Sequence, residues 1–126
     1  MKKLNISNLE WEILRITWQK GKITVKEISK ALSKPNKRAY TTIQTYMERM
    51  VEKGFLTKEK IGLVNFYKAI VREKNLINKE ISKFTQNVFA GSYSNLAAYL
   101  FDAHKLDKED IEMIKKMIAE KENEND

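Results

Sequence analysis

The chain has 126 residues, 42% of them hydrophobic, with no cysteine and a formal net charge of +7. That supplies one small core, or a core plus an oligomerisation arm; it excludes disulfides and thiolate metal sites, and no apolar run approaches the roughly 20 residues that span a bilayer, so no membrane insertion and a cytoplasmic location are expected. The charge is unevenly spread, with 15 Lys/Arg against 6 Asp/Glu in residues 1–70 and 9 against 11 in residues 71–126, so the first part is expected to meet a polyanion and the second is not.

The start, Met1-Lys2-Lys3-Leu4-Asn5, is basic but leads into no signal-peptide core. Ser7 and Glu10 stand at capping-box spacing and predict a helix beginning at Ser7. Leu9, Ile13 and Ile16 form one apolar stripe at helical spacing, and Trp11, Leu14 and Trp18 form a second on nearly the opposite side. A helix apolar on two sides is buried on two sides: one against a local core, the other against the C-terminal half or a partner chain. Gly21 is a natural stop. Ile23 fits a one-residue bridge or a very short strand.

Thr24 and Glu27 repeat the capping-box spacing and open a short helix through Ile28, Ala31 and Leu32. Residues 33–37, with the only proline at Pro35, read as a turn. A third helix follows over residues 39–53 and stops at Gly54; helix, short connector and helix make a helix-turn-helix. Residues 55–60 and 65–69 read as two strands, with Phe66 and Tyr67 supplying β-propensity and Gly62 the turn. This basic hairpin is a wing.

The second half is helical in pattern. Ile77, Ile81, Phe84 and Val88 make a stripe, broken by Ala90-Gly91-Ser92. Leu96, Leu100 and Phe101 mark a short helix. Asp107, an N-cap with Asp110 three residues on, starts a last helix striped by Ile111, Ile114 and Ile118, with Met113 and Met117 beside them. The polar tail over residues 122–126 is expected to fray. So few residues folding alone cannot bury all three stripes, and a homodimer with interleaved arms is the economical solution, a single larger monomeric core the alternative. The expected architecture is mainly α with a small β-hairpin: a winged helix-turn-helix DNA-binding domain over residues 1–70 and a helical dimerisation domain over residues 71–126.

On the third helix, Ile43, Met47 and Met50 share the side that packs inward, flanked by Tyr46 and Val51. Thr41, Thr45, Glu48, Arg49 and Glu52 point away, with Thr42 and Gln44 at the margins. The first turns of a recognition helix reach base edges, and here they carry Thr41, Thr42, Gln44 and Thr45. Gln pairs bidentately with adenine, and a Thr methyl sits against a thymine methyl while its hydroxyl bonds a base or a phosphate. Lys37 and Arg38 at the helix start, Arg49 along it, and Lys58 and Lys60 in the hairpin are placed to bind phosphate and fix register. On this reading, loss of Lys58 weakens cognate and random duplex alike. Three Thr in five positions is an odd choice for helix propensity, whereas as plain surface residues they need no function, and Arg49 can pair with Glu48 or Glu52. Glu48 and Glu52 repel phosphate and confine contact to the N-terminal half of the helix.

No other chemistry is expected. The four glycines are scattered, so no phosphate loop forms. His104, the only histidine, lies in a polar segment as a solvated surface residue. Asp107, Glu109, Asp110 and Glu112 form the negative first turn of a helix, which the macrodipole favours, rather than a metal site. No catalytic constellation, metal or cofactor is anticipated.

Residues 6–14, then Trp18, Thr42-Ile43-Gln44-Thr45, Arg49 and Lys53-Gly54-Phe55-Leu56, with Phe66-Tyr67 in the wing and Gly91-Ser92-Tyr93, Leu96 and Leu106 beyond, resemble the penicillinase-repressor family over nearly the whole chain. The resemblance implies a winged helix, a helical dimerisation domain, near-palindromic operators with TACA/TGTA-like half-sites, and DNA contacts at Thr41, Thr42, Gln44 and Thr45. The stripes themselves place dimerisation at Ile77, Ile81, Phe84, Val88, Leu96, Leu100, Phe101, Ile111, Ile114 and Ile118. The resemblance also implies that a membrane sensor-protease, responding to a β-lactam or other cell-wall signal, cleaves the dimerisation domain. The familiar members carry basic residues where Thr41 and Gln44 stand. Their cleaved Asn-Phe bond aligns with Tyr99-Leu100, with Leu100-Phe101 one residue on. The copper-sensing branch uses a cysteine motif that this chain lacks. The competing readings are a winged-helix protein-interaction adaptor, which would show no salt-sensitive duplex binding, and an RNA-binding module, which would favour RNA over duplex DNA.

Overall fold

The computed structural model describes residues 5–102 and 106–124; residues 1–4, His104 with its two neighbours, and residues 125–126 lie outside the described residues. The chain divides into two compact units, Met1–Ile77 and Asn78–Asp126.

In the first unit, α1 (Asn8–Lys20) begins at the expected box: Ser7 Oγ accepts from the Glu10 N–H, and the Ser7 N–H donates back to Glu10. α2 (Val25–Ala31) opens on the same device from Thr24 and Glu27. The connector predicted as a turn is a short 3-10 helix, Lys34–Asn36, with Pro35 in its first turn, where a missing N–H costs nothing. α3 runs Tyr40–Glu52. Strands β1 (Leu56–Ile61) and β2 (Val64–Ala69) pair antiparallel, with Ile61 opposite Val64, so the loop is only Gly62-Leu63. This is tighter than the four-residue turn expected. Gly62 has a φ of +65° and Leu63 has no positive φ, the signs of a two-residue hairpin turn that matches strand twist. Ile23 bridges Tyr67, as its isolated position suggested.

Ile13, Leu14, Ile23, Ile28, Ile43, Met47, Met50, Leu56 and Tyr67 are fully buried in one core, at about 1.5–3 kcal/mol for each large apolar side chain. The second stripe of α1 is used here too. Leu14 is buried, and Trp11 and Trp18 lie half-buried against the core with ring centroids 6.4 Å apart. The Trp18 Nε1–H donates to Val71 O at 2.9 Å. The segment leaving β2 returns beside this face, and Val71, the first residue of the expected C-terminal half, packs on the same core.

The second unit holds most of α4 (Glu73–Phe89), α5 (Tyr93–Asp102) and α6 (Lys108–Glu124). α4 ends at Ala90 and Gly91, with φ of 50° and 87°, and the Gly91 N–H donates to Thr85 O, a left-handed close that glycine tolerates best. Asp107 and Asp110 exchange backbone-to-carboxylate bonds at the start of α6. α6 stays helical to Glu124, past residue 122 where fraying was expected. Thr85 is the one buried side chain among this unit's described residues. The stripes of α4, α5 and α6 are therefore not covered within it: Ile81, Phe84, Val88, Leu100, Phe101 and Ile118 are exposed, and Leu96, Ile111 and Ile114 are half-buried. No helix among the described residues is long and apolar enough to cross a membrane.

Candidate nucleic-acid interface

α3 is held from beneath by Ile43, Met47 and Met50, each at 0% exposure, with Tyr46 and Val51 half-buried at the flanks. The spacing of these residues turns Thr41, Thr42 and Thr45 outward as one exposed row beside the half-exposed Gln44. Thr45 Oγ1 donates to Thr41 O at 3.0 Å. With its proton committed to its own helix, the Thr45 hydroxyl is left to act outward as an acceptor. Ala39 gives α3 no side-chain cap, so the first-turn amides lack a side-chain acceptor. Gln44 and Tyr40 line a cleft of about 400 Å³ with Thr24, Val25 and Lys26 at the start of α2 and Leu63, Val64 and Asn65 of the wing tip.

The basic residues predicted to meet phosphate differ in what they do in the free protein. Lys37 Nζ donates to Ser29 O at 3.0 Å and Lys30 O at 3.4 Å, closing the end of α2. Arg38 Nη1 donates to Pro35 O at 3.0 Å and Lys37 O at 2.9 Å. Lys58 Nζ lies 3.0 Å from both Glu48 carboxylate oxygens. Arg49 and Lys60 are exposed and make no ion pair among the described residues. Glu52 is exposed as well.

Three carboxylates that set this geometry make long-range bonds that sequence spacing does not reveal. Glu12 ties α1 to the connector, accepting from Asn36 Nδ2 at 2.7 Å, from Ser33 Oγ at 2.8 Å and from the Ser33 N–H at 3.1 Å. The Asn36 bond, more than offsetting partial burial, holds its carboxyl below the usual range. Glu10 is buried and paired with Lys53 Nζ at 2.7 Å, joining the start of α1 to the end of α3. Glu48 accepts from the Tyr67 hydroxyl at 2.6 Å as well as from Lys58. The Tyr67 bond first, and Lys58 with it, hold the Glu48 carboxyl low, while burial and then Glu48 push the Tyr67 phenol far up. The wing-tip Leu63, 95% exposed, also went unassigned. Its only signal is an apolar residue following a turn glycine.

The Tyr99-Leu100 and Leu100-Phe101 bonds lie inside α5, with all three side chains exposed and the Tyr99 ring 5.3 Å from that of Phe89. Cleavage at either bond requires local opening of that helix.

A family model described as "Penicillinase repressor" matches residues 6–120. The methicillin resistance regulatory protein MecI of Mammaliicoccus sciuri is 25% identical over 120 residues, covering 95% of this chain and 98% of that protein. The penicillinase repressor of Bacillus licheniformis is 28% identical over 124 residues, covering 98% of this chain and 97% of that protein. Among solved structures, the DNA binding domain of the repressor BlaI is 36% identical, covers 60% of this chain and 93% of that one, and superposes with a TM-score of 0.50. A MarR family protein from Bacillus stearothermophilus, 19% identical with a TM-score of 0.53 over 96% of this chain and 76% of that one, shares the fold alone.

Proposed function

The chain belongs to the penicillinase repressor family, a family of transcriptional repressors rather than enzymes, and we propose that it is a homodimeric, sequence-specific repressor that binds a near-palindromic DNA operator. One observation carries the proposal: the exposed row of Thr41, Thr42 and Thr45 with Gln44 on the N-terminal half of a helix whose other face is locked into the core. That is the arrangement a recognition helix needs, because only its first turns reach base edges in the major groove. Thr41, Thr42, Gln44 and Thr45 read bases in this proposal. Lys37, Arg38, Arg49 and Lys60 approach phosphates on either side, and the N–H groups at the uncapped start of α3 add a weak positive end.

The domain roles follow the charge: the winged helix over residues 1–70 meets DNA, and residues 71–126 join two copies through their exposed stripes. The relatives are named for methicillin resistance and for penicillinase. By analogy the regulated genes here belong to an antibiotic response, and cleavage within α5 by a membrane sensor-protease relieves repression.

Selection of bound duplexes from a random pool tests base reading. Wild type is expected to enrich a two-fold related site containing A/T steps. Gln44→Ala should relax preference at one or two base pairs per half-site and cost on the order of 1–3 kcal/mol at the selected site. Equal loss of affinity on every sequence would show that Gln44 does not read a base.

A further inference from the structure

Lys58 and Glu48 form an ion pair on the surface assigned to DNA, with side-chain exposures of 37% and 38%. A pair between two open, flexible side chains is usually worth about 0–1 kcal/mol, because ordering both of them costs nearly what the attraction returns. Here the carboxylate is already ordered. The Tyr67 hydroxyl holds Glu48 Oε1 at 2.6 Å. Tyr67 itself is fully buried and bonded through its backbone to Ile23 in both directions, at 2.7 and 2.9 Å. Lys58 stands directly opposite Tyr67 in the hairpin, so both side chains lie on one face of the wing. The ammonium thus meets a fixed carboxylate that takes two hydrogen bonds from it, as a phosphate would.

We propose that Glu48 withholds Lys58 from DNA phosphate and thereby sets how tightly this protein holds duplex of random sequence. The inference rests on the duplex-binding reading of the winged helix and adds a specific division of labour within it. Binding to random duplex is almost wholly electrostatic, and each neutralised phosphate contributes about 0.9 to the slope of log affinity against log salt. Withholding one lysine lightens the grip on bulk DNA while Thr41, Thr42, Gln44 and Thr45 remain free to read bases. The carboxylate stays ionised where DNA is bound, since Tyr67 and Lys58 hold it below its ordinary range.

The test is fluorescence anisotropy of a labelled random-sequence duplex titrated with the full chain across a series of salt concentrations. Wild type, Lys58→Ala, Glu48→Gln and the double variant are compared. Gln keeps the shape of Glu48 and an acceptor for Tyr67. Lys58→Ala alone is expected to leave the salt slope unchanged. Glu48→Gln should steepen it by about 0.9 and tighten binding several-fold at low salt, and the double variant should return to the wild-type slope. If Lys58→Ala by itself flattens the slope by about one unit, Lys58 is already on phosphate and the inference is overturned. It is overturned equally if the gain from Glu48→Gln survives loss of Lys58, because Glu48 then acts only through its own charge. Tyr67→Phe, which releases Glu48, should steepen the slope in the same direction, and an unchanged slope there counts against the fixed carboxylate. Wild type that binds no duplex brings down the functional reading as well; wild type that binds, with all four slopes alike, brings down this inference alone.

Discussion

Lys53→Ala is expected to lower the unfolding free energy of the N-terminal unit by about 3 kcal/mol at neutral pH, and the deficit should shrink on acidification. Glu10 is 3% exposed, and Lys53 Nζ stands 2.7 Å from its Oε2 while the Ser7 N–H donates to Oε1 at 2.9 Å. Removing one partner of a buried pair leaves an uncompensated charge and costs about 3–5 kcal/mol. The Lys53 side chain is 30% exposed, so water can partly replace it, which argues for the lower end of that range. Both tryptophans belong to this unit, so their fluorescence follows its unfolding separately from the rest of the chain.

The pH dependence has a definite sign. Burial pushes the Glu10 carboxyl up, and Lys53 and Ser7 together more than reverse it, leaving it below its ordinary value of 4.5. A carboxyl depressed in the folded state contributes stability that is fully present above its unfolded value and is lost as pH falls through the folded one. In Lys53→Ala the ammonium is gone and burial is opposed by Ser7 alone, so the folded carboxyl takes up its proton at a higher pH than in wild type. As the pH falls, Glu10 becomes neutral in the variant before it does in wild type, and the cost of its buried charge fades. Urea melts at pH 7 and near pH 4 read the gap directly. A gap that stays constant between them would mean that Glu10 is not the group left stranded.

What the sequence disclosed, and what it did not, divides by the distance between partners. The capping boxes at Ser7/Glu10 and Thr24/Glu27 were legible because donor and acceptor lie three residues apart. The inward side of α3 was legible because helical spacing alone puts Ile43, Met47 and Met50 together. The partners of Glu10, Glu12 and Glu48 lie 43, 21 to 24, and 10 to 19 residues away. No local rule selects these distant partners, although the capping-box role of Glu10 is local and legible. Glu48 shows the consequence for function: in sequence it stands as a charge that repels phosphate or pairs with Arg49, whereas in the fold it pairs with Lys58. The tryptophan face of α1 shows the same limit: spacing marks it as apolar, but its hydrogen-bond partner Val71 is 53 residues from Trp18.

If the proposed homodimer forms, Ile81→Glu with Ile118→Glu is expected to convert it to a monomer and to weaken binding to a two-half-site operator by about a hundredfold or more. The second unit has almost no buried core among its described residues. Apart from Thr85 its described residues bury no side chain, while Ile81, Phe84, Val88, Tyr99, Phe101, Met117 and Ile118 are between 43% and 66% exposed. A unit this small cannot hold three helices together with its apolar side chains in water. Covering such half-exposed groups is worth about 1 kcal/mol each. Summed over two copies, that exceeds the lower part of the roughly 4–15 kcal/mol that association costs in lost freedom. A second copy brings the same stripes in matching order, which an isologous interface requires. Placing a carboxylate at Ile81 and at Ile118, which are 43% and 54% exposed in the single chain, charges that interface while disturbing little within the chain. Sedimentation at micromolar concentration should give twice 14.8 kDa for wild type and 14.8 kDa for the variant. The DNA result follows from geometry: joined recognition helices bind the second half-site as an intramolecular event, a gain of about 10²–10⁴ that separated chains forfeit. Affinity for a single half-site should be unchanged, because both substitutions lie in the second unit and not in the winged helix. A wild-type monomer at micromolar concentration would remove the basis for a palindromic operator. A monomeric variant that kept full two-site affinity would show that each winged helix holds its half-site without help from the other.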